Sequence, residues 1–137
     1  MKKKIKSLQE MQNLAVDFAQ TIKKGDVVLL FGDLGAGKTT FTQFVFSALG
    51  VKEIVNSPTF SILKSYNGKF TFHHFDTYRI SVEEAIEAGF DEVLEDENSV
   101  IFIEWSENIK PLLPSKTISV YIKYVNENTR EVEIVNE

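Results

Sequence analysis

Val27-Val28-Leu29-Leu30-Phe31-Gly32-Asp33-Leu34-Gly35-Ala36-Gly37-Lys38-Thr39-Thr40 is the stretch from which the rest of the chain can be read. Its five leading apolar residues show no polar alternation, which predicts a strand buried on both faces in a parallel sheet. Gly32 to Thr39 then satisfies G-x-x-x-x-G-K-[ST], and a helix-forming stretch begins at Lys38. Glycines at this spacing let the backbone turn around an anion and aim N–H groups inward, while the helix that follows offers its positive end. The loop residues Asp33, Leu34, Gly35, Ala36, Gly37 and Thr40 are thus expected to line a phosphate. Lys38 would reach its outer oxygens, and the Thr39 hydroxyl would serve as a Mg²⁺ ligand. The helix should run from about Lys38 to Leu49, carry Phe41, Phe44, Val45 and Ala48, and stop at Gly50.

Upstream, Ser7-Leu8-Gln9-Glu10 reads as a capping box. Leu8, Met11, Leu14, Ala15, Phe18 and Ile22 then recur at helical spacing up to Gly25, so a helix should precede the first strand. Downstream, Phe60 to Tyr66 and Lys69 to Phe75 read as a hairpin joined by Asn67-Gly68, a pair suited to a two-residue type I′ turn. Ser81-Val82-Glu83-Glu84 opens a short helix with a second capping box, which Gly89 should break. Ser99 to Trp105 reads as another buried strand. In Thr117 to Tyr124 one face carries Ile118, Val120, Ile122 and Tyr124, and a turn at Asn126-Glu127-Asn128 leads to a last strand from Arg130 to Val135. The expected fold is α/β of the P-loop NTPase type: a small, mixed, mostly parallel sheet flanked by helices, with an inserted β-hairpin and a C-terminal β-hairpin.

At 137 residues, a single domain spanning 1–137 is expected, able to bury roughly two-thirds of its unfolded surface. Fifteen basic against 20 acidic side chains give a net charge of −5, which should repel nucleic acid and argues against direct DNA binding. Zero cysteines exclude disulfides and thiolate metal sites and are compatible with a reducing, cytoplasmic setting. Met1-Lys2-Lys3-Lys4-Ile5-Lys6 has the charge of a signal n-region, but polar residues follow it, and no run approaches a membrane span. The lysine cluster reads as a solvated, frayed end, or else as a handle for an acidic partner or RNA.

Val100-Ile101-Phe102-Ile103 ends in Glu104, as a Walker B strand ends in the acid that attends Mg²⁺. Glu104 could hold the metal or orient the attacking water. Asp76, at the end of the hairpin, suits metal binding or water positioning, or alternatively an Asx-turn or helix cap. Thr59, in a loop with Pro58, stands where switch-type NTPases place a γ-phosphate-sensing hydroxyl. Trp105 is either core or a stacking aromatic at the site. His73 and His74 are adjacent on a strand and face opposite sides, so they cannot chelate one metal together; at least one reads as a packed or hydrogen-bonded histidine. Arg79 and Arg130 are the two arginines against 13 lysines, a supply too small for the arginine clamp and lid of a phosphotransferase. Arg79 is read as a partner for an acid of the second-capped helix or as a phosphate or protein contact, and Arg130 as an edge-strand charge or a nucleotide contact. No Asn-Lys-x-Asp sequence occurs, which favours ATP over GTP.

Gly32 to Thr40, Ser57-Pro58-Thr59-Phe60, His74-Phe75-Asp76-Thr77-Tyr78-Arg79 and Glu104-Trp105, in that order, resemble the TsaE (YjeE) family of bacterial ATPases in tRNA threonylcarbamoyladenosine biosynthesis. The resemblance runs from about Ser7 to Arg130. It implies a compact P-loop fold and slow Mg²⁺-dependent ATP hydrolysis. It also implies a partnership with the TsaD transferase and TsaB, in which the nucleotide cycle resets the transferase and tRNA is held through the partners. Carried over by motif, Lys38 binds phosphates, Thr39 and Glu104 hold Mg²⁺, and Thr59 is switch-like. Asp76 becomes the essential acid, Trp105 an active-site tryptophan and Arg130 a nucleotide-proximal arginine. A small-molecule or nucleoside kinase is the alternative.

Overall fold

The computed structural model describes residues 1–33, 35–55 and 62–136. Its strands are β1 (Lys2–Ile5), β2 (Val27–Phe31), β3 (Leu63–Asn67), β4 (Thr71–Asp76), β5 (Ser99–Glu104), β6 (Ile118–Asn126) and β7 (Thr129–Asn136). They form one sheet in the order β1-β7-β6-β2-β5-β4-β3. The four strands β6, β2, β5 and β4 run parallel, while β3, β7 and β1 add antiparallel. The α/β expectation, with a hairpin at each end of the parallel strands, describes this sheet.

Helices α1 (Leu8–Ala19) and α2 (Lys38–Ala48) cover one face, and α3 (Val82–Glu87), α4 (Phe90–Leu94) and a 3₁₀ segment (Ser106–Leu112) cover part of the other. Alternation sorts the strands between these layers. Val28, Leu30, Val100, Phe102 and Phe72 pack toward α1 and α2, whereas Val27, Leu29, Ile101, Ile103 and Phe75 pack toward α3, α4 and the 3₁₀ segment. Since β2 and β5 are covered on both sides, β2 is apolar throughout and β5 is apolar between Ser99 and Glu104, and β5 is buried along its whole length.

The capping signals act as expected, with one difference. Ser7 Oγ accepts from the Glu10 N–H, but the Glu10 carboxylate accepts from the Lys6 N–H instead of closing the box on Ser7. At Ser81 and Glu84 both halves of the box are present. On α1 the core residues are Met11, Leu14, Ala15, Phe18 and Ala19, while Leu8 is 70% exposed and does not join them. On α2 the inner face is Phe41, Val45 and Phe46, and Ala48 lies outside. Phe46 sits at the centre, its ring 4.6 Å from Phe72 and 5.0 Å from Phe102.

Three expectations are corrected. The N-terminal lysines do not fray: β1 pairs antiparallel with β7, Met1 and Ile134 exchange backbone hydrogen bonds, and Ile5 is buried. Lysines on such an outer strand discourage further pairing, which is why their charge hid the strand. Asn67-Gly68 does not form a type I′ turn, because Asn67 pairs with Thr71 across a three-residue loop and neither Asn67 nor Gly68 takes a positive φ. Gly68 is instead pressed against the turn after α2, where a Cβ would come within 2.5 Å of the Leu49 carbonyl oxygen. Finally, Tyr124 does not join Val120 and Ile122 in the core but is half-exposed, its ring beneath the Arg130 guanidinium at 4.5 Å.

Candidate functional site

The loop between β2 and α2 starts where Gly32 passes the backbone of β6. A Cβ there would lie 2.5 Å from the Ile122 carbonyl oxygen, so close strand packing demands glycine. Gly35 (φ 80°) and Gly37 (φ 114°) take left-handed conformations that bend the loop into α2. Gly37 is the N-cap of α2 and supplies no side-chain acceptor, so among the described residues no side chain caps the first-turn N–H groups there. Ala36 is buried, and its N–H donates to the Asp33 carbonyl. Leu34 lies outside the described residues, as does Thr59. Thr39 and Thr40 follow in the first turn of α2, both partly buried.

Under the loop, polar side chains converge where the parallel strands end. Asp76 is in register with Glu104 on adjacent parallel strands. Glu104 is 4% exposed; its Oε1 faces Lys38 Nζ at 4.0 Å and its Oε2 accepts from His74 Nε2 at 2.8 Å. Lys38 is also buried, its ammonium 3.9 Å from the centre of the Trp105 ring. Burial pushes the Lys38 ammonium below its ordinary pKa, against the pull of Glu104 first and Asp76 next. Burial pushes the Asp76 carboxyl above its ordinary range; the Tyr78 N–H opposes the rise and the Glu104 charge reinforces it. That Tyr78 N–H donates to Asp76 Oδ1 at 3.0 Å, so the Asx-turn is realised at the same residue that faces the cluster.

Trp105 has φ 61°, an unusual conformation for a bulky side chain. Thr77 holds it, its hydroxyl donating to the carbonyls of Trp105 (2.6 Å) and Glu104 (3.0 Å), while Asn108 Nδ2 donates to the Thr77 carbonyl. This clamp turns the chain sharply after the strand and lays the indole against Lys38.

The other flank of the loop carries a cleft of about 570 Å³, bounded by Gly35, Gly37, Thr40, the start of α1 and the β6–β7 turn. Arg130 reaches the loop from β7: its Nε donates to the Ala36 carbonyl at 2.9 Å, and its Nη1 to the carbonyls of Asn126 and Thr129. Arg79 does not pair with an acid of α3 among the described residues; its guanidinium lies over the Tyr78 ring.

Residues 5–132 match the family model described as Threonylcarbamoyl adenosine biosynthesis protein TsaE. The chain belongs to the TsaE family. Among its relatives, the tRNA threonylcarbamoyladenosine biosynthesis protein TsaE of Rickettsia prowazekii is 44% identical over 136 residues, covering 97% of this chain and 93% of that one. The protein of the same name from Bacillus subtilis is 41% identical over 125 residues, 90% and 78% of the two chains. The crystal structure of YdiB from Bacillus subtilis superposes with a TM-score of 0.81 at 34% identity, covering 96% of this chain and 82% of that one.

In this TsaE-family chain the loop, Lys38, Asp76, Glu104 and Trp105 come together as one constellation, and Arg130 meets the loop from its far side. His74 is the packed, hydrogen-bonded histidine expected from the sequence, whereas Thr77 and Asn108, which also hold the constellation, were given no role there. A signal for His74 was present. Strand alternation from Phe72 places His74 and Asp76 on one face, the face that Glu104 shares across the neighbouring strand. Thr77 and Asn108 act through backbone carbonyls, for which side-chain patterns carry no signal.

Proposed function

We propose that this TsaE-family protein binds Mg-ATP at the Gly32–Thr39 loop and hydrolyses it as a cytoplasmic subunit of the machinery that installs threonylcarbamoyladenosine in tRNA. Its nucleotide cycle would reset a TsaD–TsaB-type transferase, with tRNA contacted through those partners. The observation that carries this reading is the buried Lys38–Glu104 pair beneath a glycine loop whose helix has, among the described residues, no side-chain cap. Two oppositely charged groups are costly to desolvate together, and a site that receives both phosphate and a divalent cation is a reason to keep them. The relatives named for threonylcarbamoyladenosine biosynthesis support the pathway. Among the described residues no helix is long and apolar enough to cross a membrane.

Fit to the metal can be judged from the donors. Among the described residues no three of the His, Cys, Asp and Glu side chains form a metal-binding group, which disfavours an all-protein cage. Mg²⁺ is commonly held by one or two protein oxygens plus phosphate and water, and Thr39 with Glu104 Oε1 meets that demand. A bound Mg²⁺ would supply charge neutralisation on the outer phosphates. Lys38 leaves Trp105 and Glu104 to grip phosphate oxygens, Asp76 orients water, and Arg130 fixes the loop from its outer side. The cleft beside the loop offers room for the nucleoside. Thr59 is assigned the γ-phosphate-sensing role by its place in the motif.

The test is phosphate release and nucleotide binding, measured with and without TsaD- and TsaB-type partners. Lys38→Ala should weaken ATP binding by about 100-fold. Glu104→Ala should retain much of the binding but lower turnover by about 10²–10⁴. Equal hydrolysis in wild type and both variants overturns the assignment, and a phosphorylated acceptor would replace it with a small-molecule kinase.

A further inference from the structure

His74 is fully buried on β4, and its Nδ1 has no hydrogen-bond partner among the described residues. Its ring packs edge-on against Phe46 at 6.2 Å, in the apolar layer under α2. A histidine in such a slot is a poor packing residue, since a phenylalanine would fill the space without leaving a ring nitrogen unsatisfied. What the imidazole gains there is one contact, Nε2 to Glu104 Oε2 at 2.8 Å. An ionised carboxylate only accepts, so it is Nε2 that supplies the hydrogen of this contact. The contact also takes one of the two Glu104 oxygens out of play, leaving Oε1 toward Lys38 and the loop.

We propose that His74 is a positioning residue for Glu104: by engaging Oε2 it fixes the carboxylate plane so that Oε1 alone is presented to the loop. The inference rests on the Mg-ATPase reading above and gives a role to His74, which opens the motif ending at Arg79 and carried only a packing or hydrogen-bonding expectation. Without the Nε2–H donor the Glu104 side chain can rotate about its last bond, and a buried carboxylate oxygen loses its partner. Loss of such orienting partners commonly lowers activity by about 10–100-fold.

The experiment compares single-turnover Mg-ATP hydrolysis, nucleotide affinity and thermal melting for the full chain with its partners present. The variants are His74→Phe, His74→Gln and His73→Phe. His74→Phe fills the slot without a donor and should slow hydrolysis by about 10–100-fold, with nucleotide affinity changed less than threefold. His74→Gln places an amide N–H near the Nε2 position and should recover about tenfold of that loss. His73→Phe, on the opposite face, should match wild type. Hydrolysis by His74→Phe at the wild-type rate overturns the proposal, as does equal loss in the Phe and Gln variants. If wild type itself releases no phosphate, it is the Mg-ATPase reading that fails. Should His74→Phe not fold, ring ¹⁵N spectra of wild type decide: a protonated Nε2, perturbed by Glu104→Gln, is expected, and protonation at Nδ1 instead refutes it.

Discussion

Lys38–Glu104 and Lys2–Glu131 join the same residue types in the two halves of one sheet, and the shorter contact is the less consequential. Lys2 and Glu131 approach to 3.4 Å, but their side chains are 61% and 26% exposed, so water screens the pair. Lys38 and Glu104 stand 4.0 Å apart with 6% and 5% exposure. At about 4 Å two unit charges attract by about 1 kcal/mol in water and by about 4 kcal/mol near a protein surface, and desolvation opposes that gain. The central strands β2 and β5 are covered on both faces and therefore isolate charge. Strands β6, β7 and β1 carry half-exposed and exposed positions that let charge dissipate. A region that withholds water can make a few polar groups act on a ligand, and that need explains why the loop, the acids and the histidine collect there.

The contrast can be broken most severely at the centre of the covered half. Phe46→Ala removes a fully buried ring that meets Phe72, Phe102, Tyr66 and His74, and should destabilise the protein by about 3–5 kcal/mol in urea unfolding. A loss under about 1 kcal/mol would mean that this layer repacks freely and cannot hold a rigid site.

A pH-dependent change should follow at Asp76. Because burial raises its folded pKa above the unfolded value, its contribution to stability is complete in acid and is lost as pH rises through the folded value. Asp76→Asn lacks that loss, so its melting temperature should gain on wild type as pH increases from about 4 to about 8. A gap that is constant with pH, or that closes on raising it, would contradict the burial assigned here. The smallest effect belongs to the open half: Lys2→Ala should change stability by less than about 0.5 kcal/mol, and any difference should vanish in high salt. A larger, salt-resistant loss would show that the outer strand depends on its charges.

Much of the site was legible because its chemistry is local. The glycine loop, the buried strand ending in Glu104 and the Ser81 capping box are each written in consecutive residues whose backbone demands do not depend on distant partners. Reading failed where a residue serves a neighbour far along the chain. Gly68 looked like a turn glycine and is one that admits the backbone after α2. The lysines of β1 looked solvated, and they are, but the backbone between them is paired with β7. Leu8 fitted the helical spacing, yet the first turn of α1 turns it outward beside the cleft.

Periodicity by itself determined which residues share a face, since side-chain direction follows from backbone geometry within one element. It placed His73 and His74 on opposite sides and closed β5 with an acid. Only the tertiary structure decided which faces meet. It brought Asp76 into register with Glu104, set His74 against a carboxylate 30 residues away, and carried Arg130 across 94 residues to the Ala36 carbonyl. Strand order and pairing are selected by the burial of the whole sheet, and no single element contains the energy that chooses them.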